Sequence, residues 1–266
     1  MTITHTPKRP LRIESSTGVA ECRMLEWDTG QFGMVAARLE LLEASGSYAE
    51  SRAEKRSLLL SIINECRKFG VQYLSARVDA GNFTTIHALE ATNFELIDGI
   101  QTFVQPLDGN YGSAPTGTRP FEPKDLPEIL EIGRTAFIFD RFHADPLLSC
   151  DVADQVNESW TRNCCLGTAA EAVVVAEAAG RVASYVACRV DRQALVGAIV
   201  LVATAEWARG RGAAHRASLA ALHWFSTQGM ISVEVGTQLR NIPAARLYEG
   251  LGFRLTRTSV TFRRII

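Results

Sequence analysis

Arg209-Gly210-Arg211-Gly212-Ala213-Ala214 follows an apolar run of β type and opens a run of helical type. A Gly-rich strand-to-helix turn aims successive backbone N–H groups at one point, where the helix dipole adds positive charge, so its natural ligand is a diphosphate. Gly210 and Gly212 keep Cβ atoms out of the approach. Arg209 and Arg211 add positive charge there, or are simply solvated. About one strand later comes Asn241-Ile-Pro-Ala-Ala-Arg-Leu-Tyr248-Glu-Gly-Leu-Gly252-Phe253. Asn241 is a good N-cap, and Pro243 is tolerated in a first helical turn. Tyr248 then lies about two turns from Asn241 on nearly the same face. A tyrosine hydroxyl, with a pKa near 10, keeps its proton at neutral pH and can give it to a departing group. The same ring also serves as packing for its own helix.

Those residues need elements to hold them, and the periodicities supply an order. In the C-terminal half, 122–137 has helical spacing of Leu126, Ile129, Leu130, Ile132 and Phe137. Ala172–Glu177 and Val182–Val190 are β-rich runs joined by an Ala-Ala-Gly-Arg hairpin signal, and Leu195–Ala203 is a third. A helix over 212–228 ends at Gly229, followed by a strand at Ile231–Thr237, the Asn241 helix to about Gly250, and a final strand over 253–263. The N-terminal half carries a strand over 33–42, a helix over 52–69 with Leu59, Ile62, Ile63, Cys66 and Phe69 on one stripe, a strand at Tyr73–Val78, an Asn82 helix and a strand at Phe94–Val104. The fold class is α/β (α+β). Residues 107–120 are rich in Gly, Pro, Ser and Thr, which predicts domains at 1–106 and 119–266 with a linker at 107–118.

The two halves echo each other. A single ungapped shift of 159 residues takes Asn82 to Asn241, Leu89 to Tyr248, Phe94 to Phe253 and Phe103 to Phe262. That predicts a duplicated helix–turn–strand unit, although any such unit shares apolar periodicity. The first copy lacks the Gly-rich turn and has Leu89 in place of the tyrosine. It reads as scaffold without a cofactor site.

Composition narrows the classes. The chain has 266 residues, 47% hydrophobic and 21% charged, with a net charge of −1. It can build a core, and it offers no whole-chain electrostatic case for nucleic acid or an anionic membrane surface. No apolar run reaches the length of a membrane span. The N-terminal MTITHTPKRPLRIE has no apolar core and reads as a polar arm rather than a signal peptide. The six cysteines form no CxxC pair, so reduced thiols in a cytoplasmic protein with no metal site are expected.

With these residues in view, the stretch from about 118 to 264 resembles the GNAT superfamily of acyl-CoA-dependent N-acyltransferases. Arg209, Gly212 and Ala214 satisfy its Gln/Arg-x-x-Gly-x-Gly/Ala turn, and Asn241, Ala244, Tyr248, Gly252 and Phe253 stand at its spacing. The resemblance implies a GNAT fold with a mixed, mostly antiparallel sheet, preceded here by a partial, degenerate GNAT-like half. It implies acetyl-CoA as cosubstrate, held by Arg209, Gly210, Arg211, Gly212, Ala213 and Ala214. It also implies that the pantetheine arm lies along Leu201, Val202 and Ala203 with Asn241 as a further contact, and that Tyr248 is the general acid to the leaving thiolate. A homodimer is compatible with it.

The chain is also similar to the dTDP-fucosamine acetyltransferase group. The likeness rests on Leu25-Glu-Trp-Asp-Thr-Gly-Gln-Phe-Gly33, on the two-half architecture, and on Phe139-Asp-Arg-Phe-His-Ala-Asp-Pro146 with Trp160-Thr-Arg-Asn163. It implies an acceptor that is the amine of a dTDP-linked amino-deoxy-sugar, with Arg141, His143 and Asp145 as substrate contacts. Glu206, Asp140, His143 and Asp145 all stay open as the base. A GNAT acting on a protein N-terminus, a lysine or a small amine, and a non-catalytic acyl-CoA-binding module, are the rival readings.

Overall fold

The computed structural model describes residues 10–108 and 112–266. The expected polar arm falls partly on residues 1–9 and the expected linker partly on 109–111, outside the described residues. Residues 11–14 of that arm are not a free tail but a paired strand. The chain divides into two compact units, 1–100 with 258–266, and 101–257.

Unit 1 contains β1 (Leu11–Glu14), β2 (Gly18–Met24), α1 (Glu26–Phe32), β3 (Ala36–Ala44), α2 (Tyr48–Lys68), β4 (Tyr73–Asp79), α3 (Phe83–Glu90) and the start of β5 (Glu95–Pro106). β1–β2 and β2–β3 are antiparallel, and β3–β4 is parallel. Beside β4 lies the end of the chain's last strand, with Ser259–Ile265 antiparallel to Asp79–Tyr73. That pairing is why the compact units differ from a simple cut near residue 106. Leu58, Leu59, Ile62, Ile63 and Cys66 of α2 pack on Leu39, Leu74, Ala76 and Phe262, the i, i+3, i+4 stripe expected of a helix covering a sheet. α2 begins earlier than its apolar stripe suggests. Ser47 and Glu50 form a reciprocal capping box at its start.

Unit 2 continues with β6 (Thr118–Pro120), α4 (Leu126–Ala136), α5 (Arg141–Ala144), α6 (Cys150–Cys165), β7 (Ala172–Ala178), β8 (Arg181–Asp191), β9 (Val196–Thr204), α7 (Ala213–Thr227), β10 (Ser232–Gln238), α8 (Ile242–Gly250) and the start of β11 (Arg254–Ile265). Its strands are ordered β5-β10-β9-β8-β7-β6. β6–β7, β7–β8 and β8–β9 are antiparallel, while β9–β10 is parallel. One face packs α7 and Tyr248 over Val174, Val186, Ile199, Val233 and Val235. The other packs Ile129 and Ile132 of α4 and Cys164 of α6 over Val173, Val175, Tyr185 and Leu201. Thr161 and Tyr185 bond hydroxyl to hydroxyl at 2.8 Å between α6 and β8, which satisfies two polar groups inside that layer.

Close packing of α7 depends on one glycine. A Cβ at Gly197 would lie 2.4 Å from the Phe225 ring, so the strand must lack a side chain there for the ring to rest on it. Gly197→Ala is expected to destabilise the protein by about 1–3 kcal/mol through overpacking, seen as a lowered midpoint in denaturant unfolding with an unchanged slope.

The shift that aligns the two halves in sequence also aligns their elements. Adding 159 carries Tyr73–Asp79 onto Ser232–Gln238 and Glu95–Pro106 onto Arg254–Ile265. The caps match in geometry. Asn82 (φ −85°, ψ 70°) accepts from Thr85 N–H, and Asn241 (φ −86°, ψ 67°) accepts from Ala244 N–H. Asn93 at φ 61° stands where Gly252 at φ 94° stands in the second copy; both take the left-handed turn that ends a helix.

Candidate active site

The site grows out of a fault in the β9 ladder. β9 pairs with β8 without a break from Thr204 to Leu201, and then Ala187 faces Leu201 while Cys188 faces Ile199. Val200 is therefore the extra residue of a β-bulge. The bulge flips side-chain parity. Ile199 points into the α7 layer, and Leu201 and Ala203 point into the α4/α6 layer. At the same place the parallel pairing with β10 ends. Its last pair is Ile199–Val235, yet β9 runs on to Thr204 and β10 to Gln238. The two strands diverge, and the outer edge of β9 beyond the bulge is open.

That edge presents a specific amide. Ala205 N–H bonds to Ala183 O at 2.9 Å. By the alternation of an antiparallel ladder, Ala203 and Leu201 also turn their polar groups toward β8, and Val202 turns its N–H away, into the divergence. Of the three residues expected to line the pantetheine arm, Val202 is the one that offers a free donor.

Above the open edge stands the start of α7. Gly210 (φ 72°) and Gly212 (φ 74°) both take the left-handed conformation, and Gly212 is the N-cap. No side chain caps the helix, and no acidic residue lies in its first turn. Its first N–H groups, from Ala213 onward, have no intrahelical partner. Arg209, Gly210 and Arg211 are exposed, Ala214 is half-buried and Ala213 is buried. A free, uncapped N-terminus beside an open strand edge fits an anionic group followed by an amide-bearing arm. α2 in unit 1 is the contrast, with Ser47 and Glu50 closing its start.

Tyr248 lies on α8 in the same packed cluster as Val202 and Val235. Its ring is 5.9 Å from Phe103 and 5.8 Å from Phe253, centroid to centroid. It is 4% exposed, so packing is one of its roles. Burial pushes its hydroxyl pKa upward, because the phenolate loses hydration there. No hydrogen bond to that hydroxyl exists among the described residues. Asn241 caps α8 as expected, accepting from Ala244 N–H at 3.3 Å.

The loop between α4 and α6 is built around Asp140. One carboxylate oxygen accepts the Phe142 and His143 N–H groups, and the other bonds His143 Nδ1 at 2.8 Å and Asn157 Nδ2 at 2.7 Å. His143 Nε2 meets Asp154 at 3.1 Å, so both ring nitrogens are engaged. Arg240, immediately before Asn241, reaches the backbone oxygens of Phe139 and Asp140 at 3.4 and 3.3 Å, which ties this loop to the turn leading into α8. Each of the three residues expected as substrate contacts has a partner within this loop or α6. Arg141 lies over the Phe142 ring at 4.6 Å. His143 is held between two carboxylates. Asp145 is 1% exposed and accepts Leu147 N–H at 3.1 Å, an internal turn bond that leaves it little access to solvent. The sequence reading had no place for Arg240 or for the bulge, whose only sequence trace is an apolar run too uniform to show a change of parity.

Among the described residues there is no cluster of three or more His, Cys, Asp or Glu arranged for a metal, and no helix long and apolar enough to cross a membrane.

Comparison with known proteins agrees with this geometry. Residues 134–253 match the Acetyltransferase (GNAT) family. The chain is 35% identical over 135 residues to the spore coat polysaccharide biosynthesis protein SpsD of Bacillus subtilis, covering 50% of this chain and 45% of that protein. It is 26% identical over 187 residues to the dTDP-fucosamine acetyltransferase of Escherichia coli O6:H1, covering 70% and 79%. The match thus spans less than half the length of the first relative and most of the second. A tandem GNAT protein from the clavulanic acid biosynthesis pathway superposes with a TM-score of 0.63 at 16% identity, covering 97% of this chain and 84% of that one, a likeness of fold. The diverging strands and the uncapped helix after Arg209–Gly212 lie within residues 134–253, the stretch that matches the Acetyltransferase (GNAT) family, whose cosubstrate is acetyl-CoA.

Proposed function

We propose that the chain is a cytoplasmic N-acetyltransferase that moves an acetyl group from acetyl-CoA directly to the amine of a nucleotide-linked, dTDP-type amino-deoxy-sugar. The observation that carries the chemistry is the divergence of β9 and β10 beyond Ile199–Val235. It leaves Val202 N–H free beside the uncapped start of α7. The acceptor class is supported by the relative named for dTDP-fucosamine, matched over most of its length.

In this reading the backbone amides at Gly212–Ala214 hold the diphosphate, with Arg209 and Arg211 adding charge. The cosubstrate supplies an activated acyl carbon on a thiol leaving group. A neutral amine attacks that carbon, the C–N bond forms and the C–S bond breaks. Val202 N–H donates to the acyl oxygen as it gains charge. Tyr248 gives its proton to the departing sulfur, whose own pKa lies near 8.5, and the nitrogen loses one. Leu201 and Ala203 anchor the strand, and Asn241 fixes the first turn of the helix that carries Tyr248. Unit 1, whose α2 start is closed by its own capping box, serves as a cofactor-free support.

The test is release of free CoA from acetyl-CoA with a panel of acceptors. Turnover is expected with dTDP-4-amino-4,6-dideoxygalactose. It should exceed that with free amino sugars, lysine peptides or polyamines by at least tenfold in kcat/KM. Faster turnover on a peptide would overturn the acceptor assignment, and no release with any amine would overturn catalysis itself.

A further inference from the structure

Unit 2 contains a second recess, on the sheet face opposite α7. Arg189 of β8 pairs with Ala198 of β9, and Ala198 pairs with Glu234 of β10. The three side chains form one row about 10 Å wide. The middle residue is only a methyl group, so the row is a trough with long charged walls. It floors a cavity of 790 Å³ that is also lined by Glu171, Asp191 and Arg192. Ala198 lies two residues before the bulge at Val200, about 7 Å along the strand. The cavity therefore adjoins the point where β9 and β10 part, on the side away from the Arg209–Gly212 turn.

Its charges are unequally engaged. Glu171 accepts Val190 N–H at 2.9 Å, and Asp191 accepts Gln193 and Ala194 N–H at 2.9 and 3.0 Å. These two carboxylates are committed to the β8–β9 hairpin. Glu234 has only Arg257, at 3.9 Å. Arg189 and Arg192 have no ion pair or hydrogen bond among the described residues. The groups with the fewest partners are one carboxylate near the divergence of the strands and two guanidinium groups toward the hairpin, with the charges and second oxygens of Glu171 and Asp191 beside them.

We propose that this cavity is the acceptor chamber and that it takes a ligand carrying both an ammonium group and a phosphate ester. The proposal rests on the acetyl-transfer reading above and names the groups that recognise the acceptor. Glu234 pairs with the ammonium and takes the proton that the nitrogen must lose before attack, leaving a neutral amine and a protonated carboxyl group. Arg189 and Arg192 pair with phosphate oxygens, for which the planar guanidinium fork is well shaped. A lysine side chain or a free amino sugar brings the first group and lacks the second.

Two measurements test this. In the first, inorganic pyrophosphate is titrated calorimetrically into protein saturated with coenzyme A, so that the α7 N-terminus is already filled. The wild type is expected to bind, and Arg189→Ala/Arg192→Ala to bind at least tenfold more weakly, the scale of losing charge-assisted hydrogen bonds. No binding to the wild type, or equal binding to both, overturns the phosphate assignment. This readout does not need turnover, so it separates the proposal from the acetyl-transfer reading. In the second, the double variant is compared with wild type on dTDP-4-amino-4,6-dideoxygalactose and on glucosamine. The KM for the nucleotide sugar is expected to rise at least tenfold more than that for glucosamine, and a parallel change would overturn the proposal. Glu234→Gln is expected to cut kcat/KM for the amine by about 10²-fold or more while leaving pyrophosphate binding as in the wild type. An unchanged kcat/KM assigns the base elsewhere and overturns that part.

Discussion

Tyr248→Phe is expected to lower kcat by about 10²–10⁴-fold, the range for losing a positioned general acid, while the protein stays as stable as the wild type and binds acetyl-CoA as well. The three outcomes separate because of what the hydroxyl touches. The ring contacts with Phe103 and Phe253 survive in phenylalanine. The hydroxyl has no partner to lose among the described residues, so its removal costs little or is mildly favourable. Unfolding midpoints and the calorimetric affinity for acetyl-CoA should therefore hold, and steady-state turnover should collapse. A variant that loses stability and activity together would make Tyr248 a packing residue. Unchanged turnover would take it out of the mechanism.

The pH dependence follows from the same burial. Burial raises the Tyr248 pKa above its ordinary value near 10, so the acid form persists further into alkali. The wild-type kcat should show no alkaline loss from this residue below about pH 10. A limb between pH 8 and 9 in the wild type that vanishes in Tyr248→Phe would contradict the buried, protonated hydroxyl.

Much of unit 2 was legible because its strands are apolar runs bounded by Gly and Asp. The readings at Leu195–Ala203 and Ile231–Thr237 miss β9 and β10 by one residue at each end. What escaped depends on partners that sequence does not name. β1 alternates half-buried and exposed positions, and β2 buries only the small side chains of Ala20 and Cys22, so their apolar signal is weak. α6 buries Asn157 and Thr161 along with Ala153, Val156 and Cys164, and those polar residues dilute its helical stripe. The bulge at Val200 is defined by the register of β8 across from it. Asp145 is expected as a substrate contact, yet it is 1% exposed and accepts Leu147 N–H, a burial that its sequence neighbours do not announce. The early start of α2, by contrast, was there to be read: Ser47-Tyr-Ala-Glu50 is a capping-box spacing.

That capping box leads to the second large effect, in which stability and binding should move in opposite directions. His215 is the third residue of α7 and exposed, the position that Glu50 holds in α2. His215→Glu puts a carboxylate on the free N–H groups of an uncapped helix, where a negative charge is worth about 0.3–1 kcal/mol. The unliganded protein should therefore become slightly more stable. The same carboxylate occupies the place and the charge that the diphosphate needs, and acetyl-CoA affinity should fall by at least tenfold, with a rise in its KM and little change in kcat at saturation. His215→Gln lacks the charge and serves as the control, expected to stay close to wild type in both respects. An ordinary Gly-rich connection would gain the stability and keep the affinity. Only a helix end left open to receive an anion loses affinity when its own carboxylate closes it, as Glu50 closes the corresponding helix of unit 1.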